Sequence, residues 1–192
     1  MNGLGEDFSE FVLNSLAGLR VTESPSLSEL VGLRPGIISV LSPIPVFKLS
    51  ADEILEGGLV FPEQPSFWRY IIVQGGQPLC FADLEVRVEA AFKAVRQFIF
   101  SPYVAGLVKA LGLMNTVFSS DEELGGISII EFSELDLRLV SKYKESSSFI
   151  TIDPDPLGLG AGRVWTYPEV REIAMAAKRR LSEDDTPDCS GC

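Results

Sequence analysis

Residues 67–86 read FWRYIIVQGGQPLCFADLEV, and this stretch decides the fold class of the chain. Two runs rich in aromatic and β-branched residues flank Gly75-Gly76, a pair that tight hairpin turns favour because glycine accepts a positive φ. The second run alternates apolar residues with Asp83 and Glu85. Successive strand residues face opposite sides of a sheet, so the stretch predicts a β-hairpin with one face toward the core and one partly wet.

Helical and strand patterns on both sides of the hairpin predict the remaining elements. Apolar residues at helical spacing predict helices at 7–19, 87–100 and 102–111 and from Pro168 onward. A capping box formed by Ser50 and Glu53 predicts a further short helix that begins there. Apolar β-branched or alternating runs predict strands at 36–41, 127–132, 135–143 and 149–152. The helix at 87–100 has the clearest 3.6-residue pattern and is predicted to be the central buried element.

This order of elements predicts an α+β fold rather than a doubly wound parallel sheet. We expect a mainly antiparallel sheet of about six strands, including the Gly-Gly hairpin at 67–86, with helices packed against it. Pro43 and Pro45 are expected to break the first strand, because proline cannot donate to a strand ladder. Residues 1–182 are predicted to form a single domain, and the acidic segment 183–192 a disordered tail.

The charge of the chain indicates which partners it could bind. The net charge is −11, from 16 basic and 27 acidic residues. Such a chain repels nucleic-acid phosphates, so direct nucleic-acid binding is not expected, whereas a basic protein partner is compatible with it. The absence of histidine excludes the Ser-His-Asp and Cys-His nucleophile systems. Acidity without these motifs favours a non-enzymatic protein.

Compartment and membrane association are judged from three features. The N-terminus lacks the charged and apolar regions of a secretory signal, and the cysteine count is low and odd at 3, which predicts a cytoplasmic protein. Residues 98–118 are apolar and about one bilayer long. Lys109 and Pro102 oppose a membrane span there, so we expect a buried core helix. Cys189 and Cys192 at the C-terminus are expected to have no role.

The loop 153–163, DPDPLGLGAGR, is the candidate ligand-binding segment. Its glycines could let the backbone approach a phosphate group while an arginine neutralises the charge, and its aspartates could hold a divalent cation. The residues that would bind the ligand are Gly158, Gly160, Gly162 and Arg163, and those that would bind the metal are Asp153 and Asp155. A flexible connecting loop explains the same composition.

The hairpin carries the candidate partner-binding residues, Trp68, Tyr70, Asp83 and Glu85, although aromatic residues of this kind also fill ordinary cores. Taken together, the sequence predicts a cytosolic protein-interaction module without a cofactor. It would act as an adaptor, a chaperone or an antitoxin- or immunity-like inhibitor, with an acidic surface toward a protein partner. The alternative is a metal-dependent enzyme, or a binder of phosphate-containing small ligands, that uses the 153–163 loop.

Overall fold

A computed structural model of the chain describes residues 5–19, 38–41, 43–56, 61–87, 92–99, 102–117, 126–142, 148–152, 160 and 162–184. The helices in these ranges are α1 (Gly5–Leu19), α2 (Ala51–Glu56), α3 (Pro102–Val117) and α4 (Tyr167–Asp184). The strands are β1 (Ile38–Val40), β2 (Ile44–Lys48), β3 (Phe67–Gln74), β4 (Gln77–Arg87), β5 (Phe92–Ile99), β6 (Ile127–Phe132), β7 (Leu137–Lys142), β8 (Ser148–Thr151) and β9 (Val164–Thr166).

All described strands belong to one sheet. Its order is β5-β4-β3-β2-β6-β7-β8-β9, and β1 pairs with β3 beside β2. The described part of the chain is mostly sheet with four helices, which agrees with the α+β class. The sheet is nonetheless larger than expected, with nine strands instead of about six. It is also mixed, because β2 and β6 run parallel.

The predicted hairpin is confirmed. Strands β3 and β4 pair antiparallel around Gly75 and Gly76, whose φ angles are 57° and 80°. Positive φ at both central residues matches the right-handed twist of the flanking strands. A register shift between Ile72 and Val73 inserts one extra residue in β4. This bulge moves every later pair by one position and places Asp83 opposite Arg69.

The predicted helix at 87–100 is wrong, since residues 92–99 form the strand β5 on the β4 edge of the sheet. A bulge explains the misleading pattern. Asp83 pairs with Gln97 and Leu84 with Val95, so Arg96 is an extra residue. The extra residue puts Val95 and Phe98 on the same face three positions apart, which imitates helical spacing.

The first strand ends at Val40, before Pro43, as predicted, but Pro45 departs from the prediction because it lies within β2 at the centre of the sheet. The carbonyl of Val46 accepts a bond from Ser66 of the β3 side, so the backbone groups of Pro45 point the other way, toward β6. The parallel ladder with β6 begins only at Val46. The missing N–H of Pro45 therefore falls just before that ladder.

Helices cover both faces of the sheet. On one face, here called the α3 face, α3 packs on Ile71, Ile129 and Val140. On the opposite face α1 packs on the hairpin through Val12 and Leu16, while α2 and α4 pack on the β6–β8 side. The Ser50–Glu53 capping box is confirmed, because each residue's side chain accepts the other's backbone N–H, at 2.6 and 3.2 Å.

Several boundaries differ from those predicted. Helix α3 continues through Gly112 to Val117, and Gly112 faces open space, where a helical glycine is tolerated. Leu135 lies in a short 3-10 turn before β7, and β9 was not predicted. Helix α4 extends to Asp184, past the start of the predicted tail, and residues 185–192 lie outside the described ranges.

Cys80 of β4 gives a test of this packing. Its side chain is fully buried on the α1-covered face, and burial raises the pKa of its thiol from 9.0 to about 12. Because the thiolate is the reactive form, we expect native Cys80 to resist a thiol reagent at neutral pH and to react after unfolding in urea. The measurement uses a Cys189→Ser/Cys192→Ser variant, so that only Cys80 reports. Equal labelling rates in native and unfolded protein would contradict the packing described.

The raised pKa also fixes a pH dependence. The unfolded thiol ionises near pH 9, whereas the folded thiol holds its proton to about pH 12. The contribution of Cys80 to stability is therefore complete below pH 9 and is lost as the pH rises toward 12. Burial also raises the pKa of Tyr70, from 10.0 to about 12, and this shift lowers stability in the same pH range. Unfolding midpoints measured across this range should fall steadily.

Candidate functional site

Four polar side chains from four strands meet on the α3 face and form what we call the charge cluster: Arg69 of β3, Asp83 of β4, Gln97 of β5 and Glu131 of β6. Arg69 Nε and Nη2 donate to the two carboxylate oxygens of Asp83 at 2.7 and 2.9 Å. Arg69 Nη1 lies 2.9 Å from Glu131 Oε1, and Gln97 Nε2 donates to Asp83 at 2.8 Å. The side chains of Arg69 and Asp83 are 3% and 1% exposed, so the pair is sealed from water.

Aromatic rings complete the surroundings of Arg69. Its Cζ atom lies 4.1 Å from the centroid of Phe81 and 5.4 Å from that of Phe67. Burial by itself would lower the pKa of Arg69, but its hydrogen bonds and charge pairing with Asp83 and Glu131 outweigh this and raise the pKa above its usual value. The guanidinium stays charged and its partners are satisfied. The cluster therefore offers no free general base or nucleophile. Its hydrogen bonds and ion pairs connect neighbouring strands of the sheet.

Two exposed cations lie at the margin of this cluster, beside Phe67. Lys48 Nζ is 5.6 Å and Arg96 Cζ is 5.8 Å from the centroid of the Phe67 ring. Arg96 is the extra residue of the β5 bulge, and its Nε lies 3.8 Å from Glu85 Oε2. We call Lys48 and Arg96 the cationic rim.

An acidic patch forms where α2 meets the β6–β7 turn. Its members are the exposed carboxylates Asp52, Glu53, Glu134 and Asp136. Glu134 joins the two elements by accepting the backbone N–H of Ala51 at 3.2 Å. Two cations touch the patch, since Lys178 pairs with Asp52 and Arg138 with Asp136, the latter at 2.8 Å. The patch keeps more negative than positive charge.

Asp136 of this patch has a φ of 48°, which makes it the one non-glycine residue with a left-handed backbone in the described ranges. Aspartate tolerates that region better than most residues because its short side chain can hydrogen-bond nearby. The conformation closes the short turn between β6 and β7 and fixes where the two exposed carboxylates of the turn lie.

Part of the predicted glycine loop lies in the described ranges. The carbonyl of Gly160 accepts bonds from the Thr151 hydroxyl at 3.0 Å and from the Arg163 N–H at 3.1 Å. Gly162 has a φ of 78°, which favours glycine, and a Cβ atom there would lie 2.7 Å from Leu113 Cδ1. The turn is thus tied to β8 and packed against α3.

The side chain of Arg163, a predicted ligand-binding residue, already interacts with Trp165 and Glu169. Its Cζ lies 3.9 Å from the Trp165 ring centroid, and Nη2 lies 3.4 Å from Glu169 Oε1. Glu169 also accepts from Thr166 at the start of α4, and that backbone hydrogen bond, before its other contacts, lowers the pKa of Glu169. Gly158, Asp153 and Asp155 lie outside the described residues, so ligand and metal binding by the loop stay predictions. No three acidic, histidine or cysteine residues within the described ranges are grouped to hold a metal ion.

The predicted partner-binding residues of the hairpin are not together on a surface. Tyr70 and Asp83 are buried, on opposite faces of the sheet, while Trp68 and Glu85 are half-buried. The face expected to be partly wet is covered at Asp83, because this carboxylate belongs to the charge cluster. Partner binding by these four residues stays a prediction.

Sequence reasoning did not find the other members of the charge cluster, Arg69, Gln97 and Glu131. A signal existed, since Arg69 and Glu131 are single charged residues within the strongly apolar runs FWRYIIV and ISIIEF. A charge in a buried strand requires a partner, and each such strand could have been searched for the matching charge.

Comparisons with protein-family models, with curated proteins and with solved structures give no match to this chain. Within the described ranges, every helix is too short or too polar to cross a membrane.

Proposed function

We propose that this protein is a non-enzymatic, cytosolic protein-interaction module that uses its acidic patch to bind a basic protein partner. The observation that carries the proposal is the gathering of Asp52, Glu53, Glu134 and Asp136, all exposed, at one junction of the fold. An excess of exposed carboxylates steers a basic partner and speeds its association.

The rest of the chain supports a binding role over a catalytic one. The sequence contains no histidine, and both buried carboxylates of the charge cluster are paired with Arg69. A catalytic carboxylate needs a free lone pair within reach of a substrate. The exposed carboxylates, by contrast, are available to a protein surface and are anchored by backbone contacts such as that of Glu134 with Ala51.

The test is the salt dependence of partner capture by the immobilised full-length protein from a lysate of its source cells. We expect the captured partner to be basic and its association to slow on the order of tenfold as salt rises to physiological strength, because screening shortens the reach of the charges. Since several carboxylates share the attraction, each single neutralisation should weaken binding less than a double one.

A matched pair of variants locates the surface. Glu134→Gln/Asp136→Asn removes two charges but keeps an acceptor for Ala51 and a side chain that tolerates a positive φ. Glu10→Gln/Glu63→Gln removes the same charge from exposed positions elsewhere. Capture should drop in the first variant and persist in the second. A partner that both variants lose equally, or that stays bound at high salt, argues against the proposal.

A further inference from the structure

The cationic rim is a local exception on an acidic protein. Lys48 and Arg96 are exposed, come from strands on different sides of β3, and converge on the same aromatic ring, that of Phe67. The net charge of the chain is −11, so exposed cations are expected to pair with its many carboxylates. Among the described residues Lys48 has no carboxylate within salt-bridge distance, and Arg96 has only Glu85 at 3.8 Å.

The backbone of β5 is shaped to produce this convergence. Without the bulge, Arg96 and Gln97 would face opposite sides of the sheet. With it, both reach the α3 face, where Gln97 binds Asp83 and Arg96 reaches the ring of Phe67. Bulges of this kind re-aim side chains and are frequent next to binding sites. The geometry keeps Arg96 at the rim although an unbulged strand would point it away.

Lys48 and Arg96 lie 5.6 and 5.8 Å from the Phe67 centroid and are exposed, so an anion at this margin of the ring would meet two cations. The negative face of the ring attracts each cation without neutralising its charge. Ser66 adds a donor. Its Oγ accepts the backbone N–H of Lys48 at 3.0 Å, and its own hydrogen has no acceptor in the described part of the chain.

We propose that Lys48, Arg96 and Ser66 form a binding site for a phosphate-type oxyanion, either free phosphate or a phosphomonoester. A tetrahedral dianion presents several acceptor oxygens at once. Lysine supplies a point charge, the arginine fork can bind two oxygens, and the hydroxyl supplies a further donor. The charge cluster ties β3 and β5 to Asp83 of β4 next to this site, through Arg69 and Gln97. This site is separate from the 153–163 loop and from the acidic patch.

The experiment is calorimetric titration of the full-length protein with inorganic phosphate and, separately, with glycerol phosphate, sodium chloride holding the ionic strength constant. Lys48→Gln and Arg96→Gln should each weaken phosphate binding by about tenfold or more, because each removes a charge-assisted contact. Lys109→Gln is the matched control, since it removes the same charge from an exposed position on α3. The control should bind phosphate as the unmodified protein does.

The outcomes separate the sources of the ligand and can overturn the site. Tighter binding of glycerol phosphate would identify a phosphomonoester, whereas equal or weaker binding would identify free phosphate. No heat of phosphate binding at constant ionic strength, or equal affinity in Lys48→Gln and the control, would overturn the proposal. These results do not depend on the acidic patch, because its residues have the opposite charge and its test uses a different probe.

Discussion

Replacing Arg69 with methionine is expected to lower the free energy of unfolding by about 3–5 kcal/mol. The substitution preserves much of the side-chain volume but leaves two carboxylates, Asp83 and Glu131, without their shared cation. The pair with Asp83 is sealed from water at 3% and 1% exposure, so solvent cannot replace the lost partner. Urea denaturation of the purified variant measures the loss, which would be among the largest for a single substitution in this chain.

Arg163→Met is the matched control for this experiment. Its ion pair with Glu169 is exposed, at 58% and 40%, and exposed pairs contribute about 1 kcal/mol or less. The double variant Arg69→Met/Asp83→Leu should be more stable than Arg69→Met, since the sealed Asp83 charge is gone and Glu131 still has Arg138 at 3.9 Å. Similar effects of Arg69→Met and Arg163→Met would show that the charge cluster is not desolvated.

Phe149→Ala is expected to cost about 3–5 kcal/mol, because a fully buried phenylalanine leaves a cavity that its neighbours fill only in part. Phe149 of β8 is 0% exposed and lies opposite Trp165 of β9, beneath α4. Its removal loosens both the last strand and the last helix. Thermal melting followed by circular dichroism would detect the loss.

Leu41→Ala provides the comparison, since this side chain is 46% exposed at the junction of β1 and β2. Its truncation should cost less than about 1 kcal/mol, because little apolar area leaves the core. If Leu41→Ala destabilised the protein as much as Phe149→Ala, the assignment of the core in this half of the sheet would be wrong.

Local signals predicted the hairpin well, and bulges mark the limit of such predictions. A two-residue turn at Gly75-Gly76 without irregularity would set Ala82 opposite Arg69. The bulge at Ile72 and Val73 sets Asp83 there instead. No residue pattern in the sequence indicates the extra residue in β4. The ion pair between Arg69 and Asp83 therefore could not be predicted from their positions relative to the turn.

The same cause explains the largest error in the fold. Residues 92–99 have helical spacing because the bulge at Arg96 puts Val95 and Phe98 on one face. Pairing with β4 and packing on the sheet, rather than the spacing of apolar residues within the segment, decide that it is a strand. Prediction of the charge cluster also required knowledge of how these strands pair. Charge count and the lack of histidine were visible in the sequence, but the meeting of residues from β3, β4, β5 and β6 required the order of strands.

The parallel seam between β2 and β6 has a consequence for how the chain reaches its native state. Strands β3 to β5 follow one another in sequence and pair as neighbours, as do β6 to β9, so each half can form through short loops. Within the sheet, the two halves are joined by the ladder that begins where Val46 pairs with Ile129, residues far apart in the chain. Closing such a long loop is entropically costly, and topologies rich in distant contacts fold slowly. Arg69 crosses this seam to lie 2.9 Å from Glu131, which within its own half has only Arg138, at 3.9 Å, as a counter-charge. In an isolated β6–β9 half, Glu131 would therefore keep Arg138 but lack Arg69, so docking of the seam completes its ion pairing and buries it.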